Sequence, residues 1–306
     1  MKTSETTTLD RHLGALFGLA CGDAVGTTVE FSPRGSFKPV TDMSGGGPFH
    51  LRPGQWTDDT SMALCLAASL VHCRGFDAQD QMNRYCNWRN VGYMSSTGTC
   101  FDIGGTVNAA LNRYLVSGDP FAGNTDPRTA GNGALMRLAP VVMFHADDAE
   151  TTRHFAGEST RTTHAAPEAI QCSQLFGLQL LAALQGKARE DVLATACPGL
   201  SEPKVMAIAC GDYRARSRAQ IKGSGYCVQS LEAALWCFAQ TDSFEAAVLM
   251  ATNLGDDADT TAAICGQIAG AFYGVSSIPA HWLAQLALRD EIEALATRLY
   301  EHSQGS

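Results

Sequence analysis

Residues 9–25 read LDRHLGALFGLACGDAV, with Leu13, Leu16, Phe17 and Ala20 at helical spacing and Gly18 and Gly22 leaving room for close packing. The same period returns along most of the chain. It predicts helices over 58–73, 78–90, 107–115, 140–144, 149–160, 167–185, 188–196, 202–210, 228–240, 243–254, 259–272 and 279–302. Alternating period-2 stretches are almost absent, and no internal repeat of roughly 20–50 residues is visible. The fold class is therefore all-α. We expect one compact domain over 1–306 with a dozen or so helices, and 1–8 and 303–306 as loose termini. Two stretches interrupt the pattern: 32–56, rich in Gly, Pro and Ser, and the polar 119–133. The first is expected to be a long surface loop, a kind that often carries function.

The composition narrows the function. Of 306 residues, 45% are hydrophobic and 17% charged, which excludes wholesale disorder. A net charge of −9 makes the chain a poor partner for a nucleic-acid scaffold but suits a cation. The basic run Arg214, Arg216, Arg218 and Lys222 reads as a solvated connection. Eleven cysteines without CxxC spacing read as buried thiols in a reducing, cytoplasmic compartment. No run approaches the roughly 20 apolar residues of a membrane span.

Two clusters carry the chemistry. Thr57-Asp58-Asp59-Thr60 opens one apolar helix, and Gly255-Asp256-Asp257-Ala258-Asp259-Thr260-Thr261 opens another. Helix capping accounts for such residues in part, since Asp and Thr satisfy free N–H groups there. Yet one Asp suffices for a cap. The second cluster crowds three carboxylates into four positions with no Lys or Arg beside them. Oxygen donors select hard ions such as Mg²⁺, Mn²⁺ or Ca²⁺, and no His lies near either cluster in sequence, which argues against zinc.

Seven blocks in order then carry a resemblance: GALFGLACGDAVGTTVEF, GQWTDDTSMAL, TGTCFDIGGTV, GNGALMRLAPV, TTHA, GSGYCVQSLEAALW and GDDADTTAAICGQIAGAFYG. Spread over about 13–286, they resemble the ADP-ribosylglycohydrolase family. The resemblance implies a compact all-α fold with two divalent cations, Mg²⁺ or Mn²⁺. By position, Thr57, Asp58, Asp59, Asp257, Asp259 and Thr260 would hold them. The family usually reads Gly-Gly-Asp where this chain has Gly255-Asp256-Asp257, so Asp256 either adds a carboxylate behind the ligands or caps the helix.

The resemblance also implies roles that the residues alone leave open. Glu30, otherwise a solvated carboxylate, falls at the family's active-site glutamate; Gly22 and Gly26 near it are expected to let the backbone approach the ligand. Asp102, otherwise a helix cap, falls beside the scissile linkage, where a carboxylate can pair with a guanidinium and relay its proton. Gly131, Asn132 and Gly133, otherwise a tight turn, would approach the diphosphate and ribose. His164 would contact the ligand or serve as a structural histidine, and Tyr226 would stack on adenine or sit in the core. The implied activity is hydrolysis of mono-ADP-ribose from protein arginine side chains, with an ADP-ribosylated protein as partner and ADP-ribose as product. The alternatives are another ADP-ribosyl linkage (serine, a nucleobase or O-acetyl-ADP-ribose) and a silent ADP-ribose-binding module.

Overall fold

The computed structural model describes residues 6–305. Among them run α1 (Thr8–Gly26), α2 (Asp58–Cys73), α3 (Ala78–Val91), α4 (Gly105–Ser117), α5 (Ala139–Phe144), α6 (Ala149–Arg161) and α7 (Pro167–Leu184). The second half holds α8 (Arg189–Leu193), α9 (Pro203–Ala209), α10 (Cys227–Ala239), α11 (Phe244–Thr252), α12 (Ala258–Tyr273), α13 (Ala280–Gln285) and α14 (Arg289–Gln304). Bridges between extended residues occur only singly among the described residues, so the class is all-α.

The organising contact pairs the first long helix with one near the end of the chain. Gly14, Gly18, Gly22 and Gly26 recur every fourth residue on α1 and form one face. That face lies against α12, antiparallel to it. A Cβ on Gly14, Gly18 or Gly22 would collide with the carbonyl oxygen of Gly270, Gly266 or Ala262. A Cβ on Gly266 or Gly270 would collide with the carbonyls of Gly18 and Gly14 in return. The two backbones therefore touch directly, as only glycine permits. Gly22 and Gly26 serve this contact rather than the approach to a ligand expected of them. A Cβ on Gly26 would strike the Cα of Asp259, so the seam ends at the second acidic cluster.

Around the pair lies a core that draws on nearly every helix, including Leu16, Leu19, Leu175, Phe176, Phe238, Phe244, Ile264 and Trp282. A smaller cluster of Met62, Cys65, Met82, Tyr85, Trp88, Val107 and Leu111 fixes α3 and α4 to α2. The cysteines are all free thiols, and seven of them are buried.

Further sequence expectations meet the structure here. The stretch 32–56 is irregular, but Val40, Met43, Leu51 and Trp56 are buried. Asn253 clamps it by accepting from the Val40 N–H at 2.8 Å and donating to the Val40 carbonyl at 2.9 Å. The predicted helix over 279–302 is two helices, α13 and α14. Leu288 between them has φ 51°, and Ala287 N–H donates to the Gly54 carbonyl, so a tertiary contact breaks a period the sequence carries through. Thr8 opens α1 and Ser303 is buried at the end of α14, so the ordered chain reaches further than the expected loose ends; residues 1–5 and 306 lie outside the described residues. In the basic connection, Arg214 pairs with Glu190 at 2.7 Å and Arg216 with Glu232 at 2.8 Å. The connection itself stays exposed from 215 to 220, as expected of a solvated segment.

Candidate active site

The start of α2 is capped from outside. Thr57 stands at the N-cap but makes no capping bond with its side chain. Instead Asp23, on α1, accepts from the N–H and hydroxyl of Thr57, both at 2.9 Å. It also accepts from the N–H and hydroxyl of Thr60, at 3.0 and 2.6 Å. With the cap supplied by another helix, Asp58 and Asp59 are freed from that task. At α12, Asp257 likewise holds the N-cap position without a side-chain capping bond. Its carboxylate accepts from Asn132 Nδ2 at 2.7 Å. Capping thus fails to explain either acidic cluster.

Because α1 and α12 are in backbone contact, the two clusters converge. The Thr57 hydroxyl lies 2.9 Å from Asp23 Oδ1, 3.1 Å from Asp59 Oδ2 and 3.2 Å from Asp259 Oδ2. One hydroxyl hydrogen can serve only one of these oxygens. Asp59 Oδ1 and Asp259 Oδ1 are buried with no hydrogen-bond partner at all. One oxygen each from Asp23, Asp59 and Asp259 lies within 4.8 Å of the others, and so does one each from Glu30, Asp102 and Asp259. Asp259 belongs to both groups and joins them.

Such an assembly resists ionisation. Burial is the largest cause in every case. It raises Asp23 and Asp257, and it raises Asp58, Asp59 and Asp259 well above the usual carboxylate range, with neighbouring carboxylates adding to the rise for these three. Burial, then the charge of Asp102, pushes Glu30 up to about 9; burial, then the charges of Asp23 and Asp257, pushes Asp102 up to about 7. Partnerless buried oxygens and mutually repelling carboxylates fit hard divalent cations, which would stabilise the ionised forms. Buried acidic clusters that can hold metal are thus present.

The groups face a cavity of about 480 Å³ whose wall includes Glu30, Asp58, Asp102, Gly131, Asn132, Gly133, His164, Asp257, Asp259 and Thr260. Thr57 and Asp59 lie behind that wall. Asp102 is not a cap: α4 starts three residues later with Gly104 at its N-cap, and Asp102 has φ 59°. Phe31, 66% exposed with φ 60°, stands on the rim beside Glu30. Its N–H donates to the Asp256 carbonyl at 2.8 Å, and Asp256 N–H donates to the Ser32 carbonyl at 2.8 Å. Asp256 itself is exposed with φ 57°, a conformation that glycine adopts freely; it is not among the grouped ligand atoms, and its charge is a minor cause of the rise at Asp257.

His164 is distant from both clusters in sequence yet lines the same cavity, so sequence separation was a poor guide to its place. The grouped ligand atoms are nonetheless all oxygens. Burial and the Arg137 charge lower its pKa to about 3. Tyr226 is half-buried at the start of α10 and is not among the cavity-lining residues, which include its neighbour Gly225. Its hydroxyl donates to Glu168 and accepts from Lys204, whose ammonium sits 5.0 Å from the ring centroid. A larger surface groove of about 880 Å³, beside Glu150 and Leu181, holds no comparable acidic cluster.

Two residues escaped the sequence reading. Asp23 is a lone carboxylate inside an apolar, glycine-rich helix, and that isolation was the signal. Arg137, fully buried, gave no signal in its GALMRLAP setting.

Known proteins resemble the chain over almost its whole length. The family model for ADP-ribosylglycohydrolase matches residues 4–306. An ADP-ribosylarginine hydrolase Tri1 from Pseudomonas putida (strain GB-1) is 47% identical, over 96% of this chain and 79% of that protein. The ADP-ribosyl-[dinitrogen reductase] glycohydrolase of Rhodospirillum rubrum is 31% identical, over 93% of this chain and 92% of that protein. A solved structure described as an ADP-ribosylglycohydrolase-related protein complex superposes with a TM-score of 0.86 at 44% identity, covering 97% of this chain and 99% of its own.

Proposed function

The chain belongs to the ADP-ribosylglycohydrolase family, and from that premise we propose that it removes mono-ADP-ribose from arginine side chains of proteins, using divalent cations. The observation that carries the reading is the approach of Glu30, Asp102 and Asp259 to within 4.8 Å at the wall of one cavity. The arginine linkage is drawn from the 47%-identical hydrolase and from Asp102.

Thr57, Asp58, Asp59, Asp257, Asp259 and Thr260, with Asp23 holding the α2 end in place, are the residues to hold two cations, Mg²⁺ or Mn²⁺. When bound, such ions supply positive charge that draws oxygen ligands and steadies developing negative charge. The remaining steps belong to the chain's own residues. Glu30 orients a water and takes its proton as the oxygen adds to the anomeric carbon. The bond from that carbon to the guanidine nitrogen breaks, and the electron pair leaves with nitrogen. Asp102 gives its carboxyl proton to that nitrogen, and the proton taken by Glu30 replaces it, the two carboxyl groups having oxygens within 4.8 Å of each other. Gly131 and Gly133 leave room for the ligand to lie close to the backbone, and Asn132 keeps Asp257 in place.

We take the chain as one domain, because helices from its two ends form the central seam. Buried thiols such as Cys65 and Cys265 support a reducing, cytoplasmic setting. The test is release of ADP-ribose from ADP-ribosyl-arginine and ADP-ribosyl-serine peptides, with and without Mg²⁺ or Mn²⁺. Release from the arginine peptide with metal is expected. Release from the serine peptide alone would replace the linkage assigned here, and tight ADP-ribose binding without turnover on either would leave a binding module.

A further inference from the structure

Arg137 is a fully buried cation that pairs with no carboxylate among the described residues. It donates from Nη1 to the Gly133 carbonyl at 2.6 Å and from Nη2 to the Thr163 hydroxyl oxygen at 2.8 Å, and its guanidinium lies 4.8 Å from the Tyr85 ring centroid. Thr163 Oγ1 lies in turn 2.8 Å from His164 Nδ1. The proton count in this chain has one economical solution. Arginine has only donors, so Thr163 must accept from it. That leaves the Thr163 hydroxyl hydrogen, and Nδ1 is the acceptor within reach. Were Nδ1 protonated, the hydroxyl would accept twice and its own buried hydrogen would go unpaired, which is costly. Nδ1 is therefore the bare nitrogen.

We propose that Arg137, acting through Thr163, locks His164 in the tautomer with its proton on Nε2, so that the cavity wall offers a fixed N–H donor to a ligand oxygen beneath Gly131 and Gly133. The glycines make the opening: a Cβ at either position would stand only 3.2 Å from Nε2. Arg137 and Thr163 are positioning residues in this account. That the donor meets ADP-ribose rests on the function proposed above; the tautomer does not.

The decisive measurement is a long-range ¹H–¹⁵N correlation of the imidazole nitrogens in the unliganded, ¹⁵N-labelled protein at pH 7, with His164 identified by its loss in His164→Gln. The expected spectrum has Nε2 protonated and Nδ1 bare. Thr163→Val, which keeps the shape and removes the hydroxyl, should populate the Nδ1–H form and weaken ADP-ribose binding about 3–10-fold. Thr163→Ser should restore both. Arg137→Lys, whose single ammonium cannot hold Gly133 and Thr163 together in a fork, should shift the tautomer in the same direction as Thr163→Val. A wild-type ring protonated at Nδ1 overturns the proposal even if every variant misfolds, and so does a folded Thr163→Val with unchanged tautomer. An unchanged tautomer in folded Arg137→Lys removes Arg137 from the relay. Failure of the wild type to bind ADP-ribose, with the expected spectrum, would count against the proposed function and not against the tautomer.

Discussion

The same two helices meet twice, in opposite manners. Along most of their length α1 and α12 touch through Gly14, Gly18, Gly266 and Gly270, a dry contact of backbone on backbone with no side chain between. At one end, past Gly22, the contact turns acidic. Asp23 and Asp259 come together there with Asp59, and two of the carboxylate oxygens have no partner. The glycine seam is satisfied and the acidic end is not. Stability belongs to the first and chemistry to the second, and the seam supplies the closeness that the acidic end would never reach by itself, because its charges repel.

Breaking the acidic end should have the largest effect. Chelation of divalent cations, or Asp259→Asn, is expected to lower arginine-linked hydrolysis by about 10³-fold or more, because Asp259 joins both oxygen groups. Turnover of an ADP-ribosyl-arginine peptide checks this. Full activity in a demonstrably cation-free sample would sink the assignment. Next comes Asp102→Ala, which removes the carboxylate facing the leaving group. Turnover should fall about 10²–10⁴-fold while affinity for ADP-ribose falls far less. Equal losses in both would make Asp102 a general binding residue.

The seam should respond differently. Gly18→Ala forces a Cβ into the Gly266 carbonyl and is expected to cost about 1–3 kcal/mol of stability, measured by denaturant unfolding, with a far smaller loss of turnover per folded molecule than a change at the acidic end. Gly26→Ala, whose Cβ meets Asp259 itself, should damage turnover as well. If both variants behave alike, the division between seam and site is wrong.

A smaller effect is a slope with pH. Glu30 and Asp102 ionise near 4 in an unfolded chain but at about 9 and about 7 in the cation-free fold. Between about pH 4 and 9 the unfolded chain therefore releases protons that the folded chain retains, so stability falls as pH rises. Melting temperatures of chelated protein at pH 5, 7 and 9 should decline in that order, and Mg²⁺ or Mn²⁺ should raise them most at the alkaline end. A chelated protein that gains stability over this window would contradict the burial of these carboxylates. Smallest of all, Asp256→Gly should stabilise by no more than about 1 kcal/mol, since φ 57° suits glycine and Asp tolerates it.

Much of this was legible in the sequence. Periodicity determined the helical class and most helix positions, because a 3.6-residue apolar repeat can bury its face in only one way. The two Asp–Thr clusters announced their chemistry, since like charges so dense in sequence remain dense in any fold. Tertiary structure alone decided what depends on contacts between distant segments. The α13–α14 break rests on Ala287 reaching Gly54, so nothing local marks it. Gly22 and Gly26 face another helix and not a ligand, and a glycine carries no record of what approaches it. Asp23 became the cap of a helix 34 residues away, and Arg137 became the partner of Thr163, 26 residues away. A hydrogen bond is satisfied by whichever group the fold brings within about 3 Å, and sequence distance does not enter that condition.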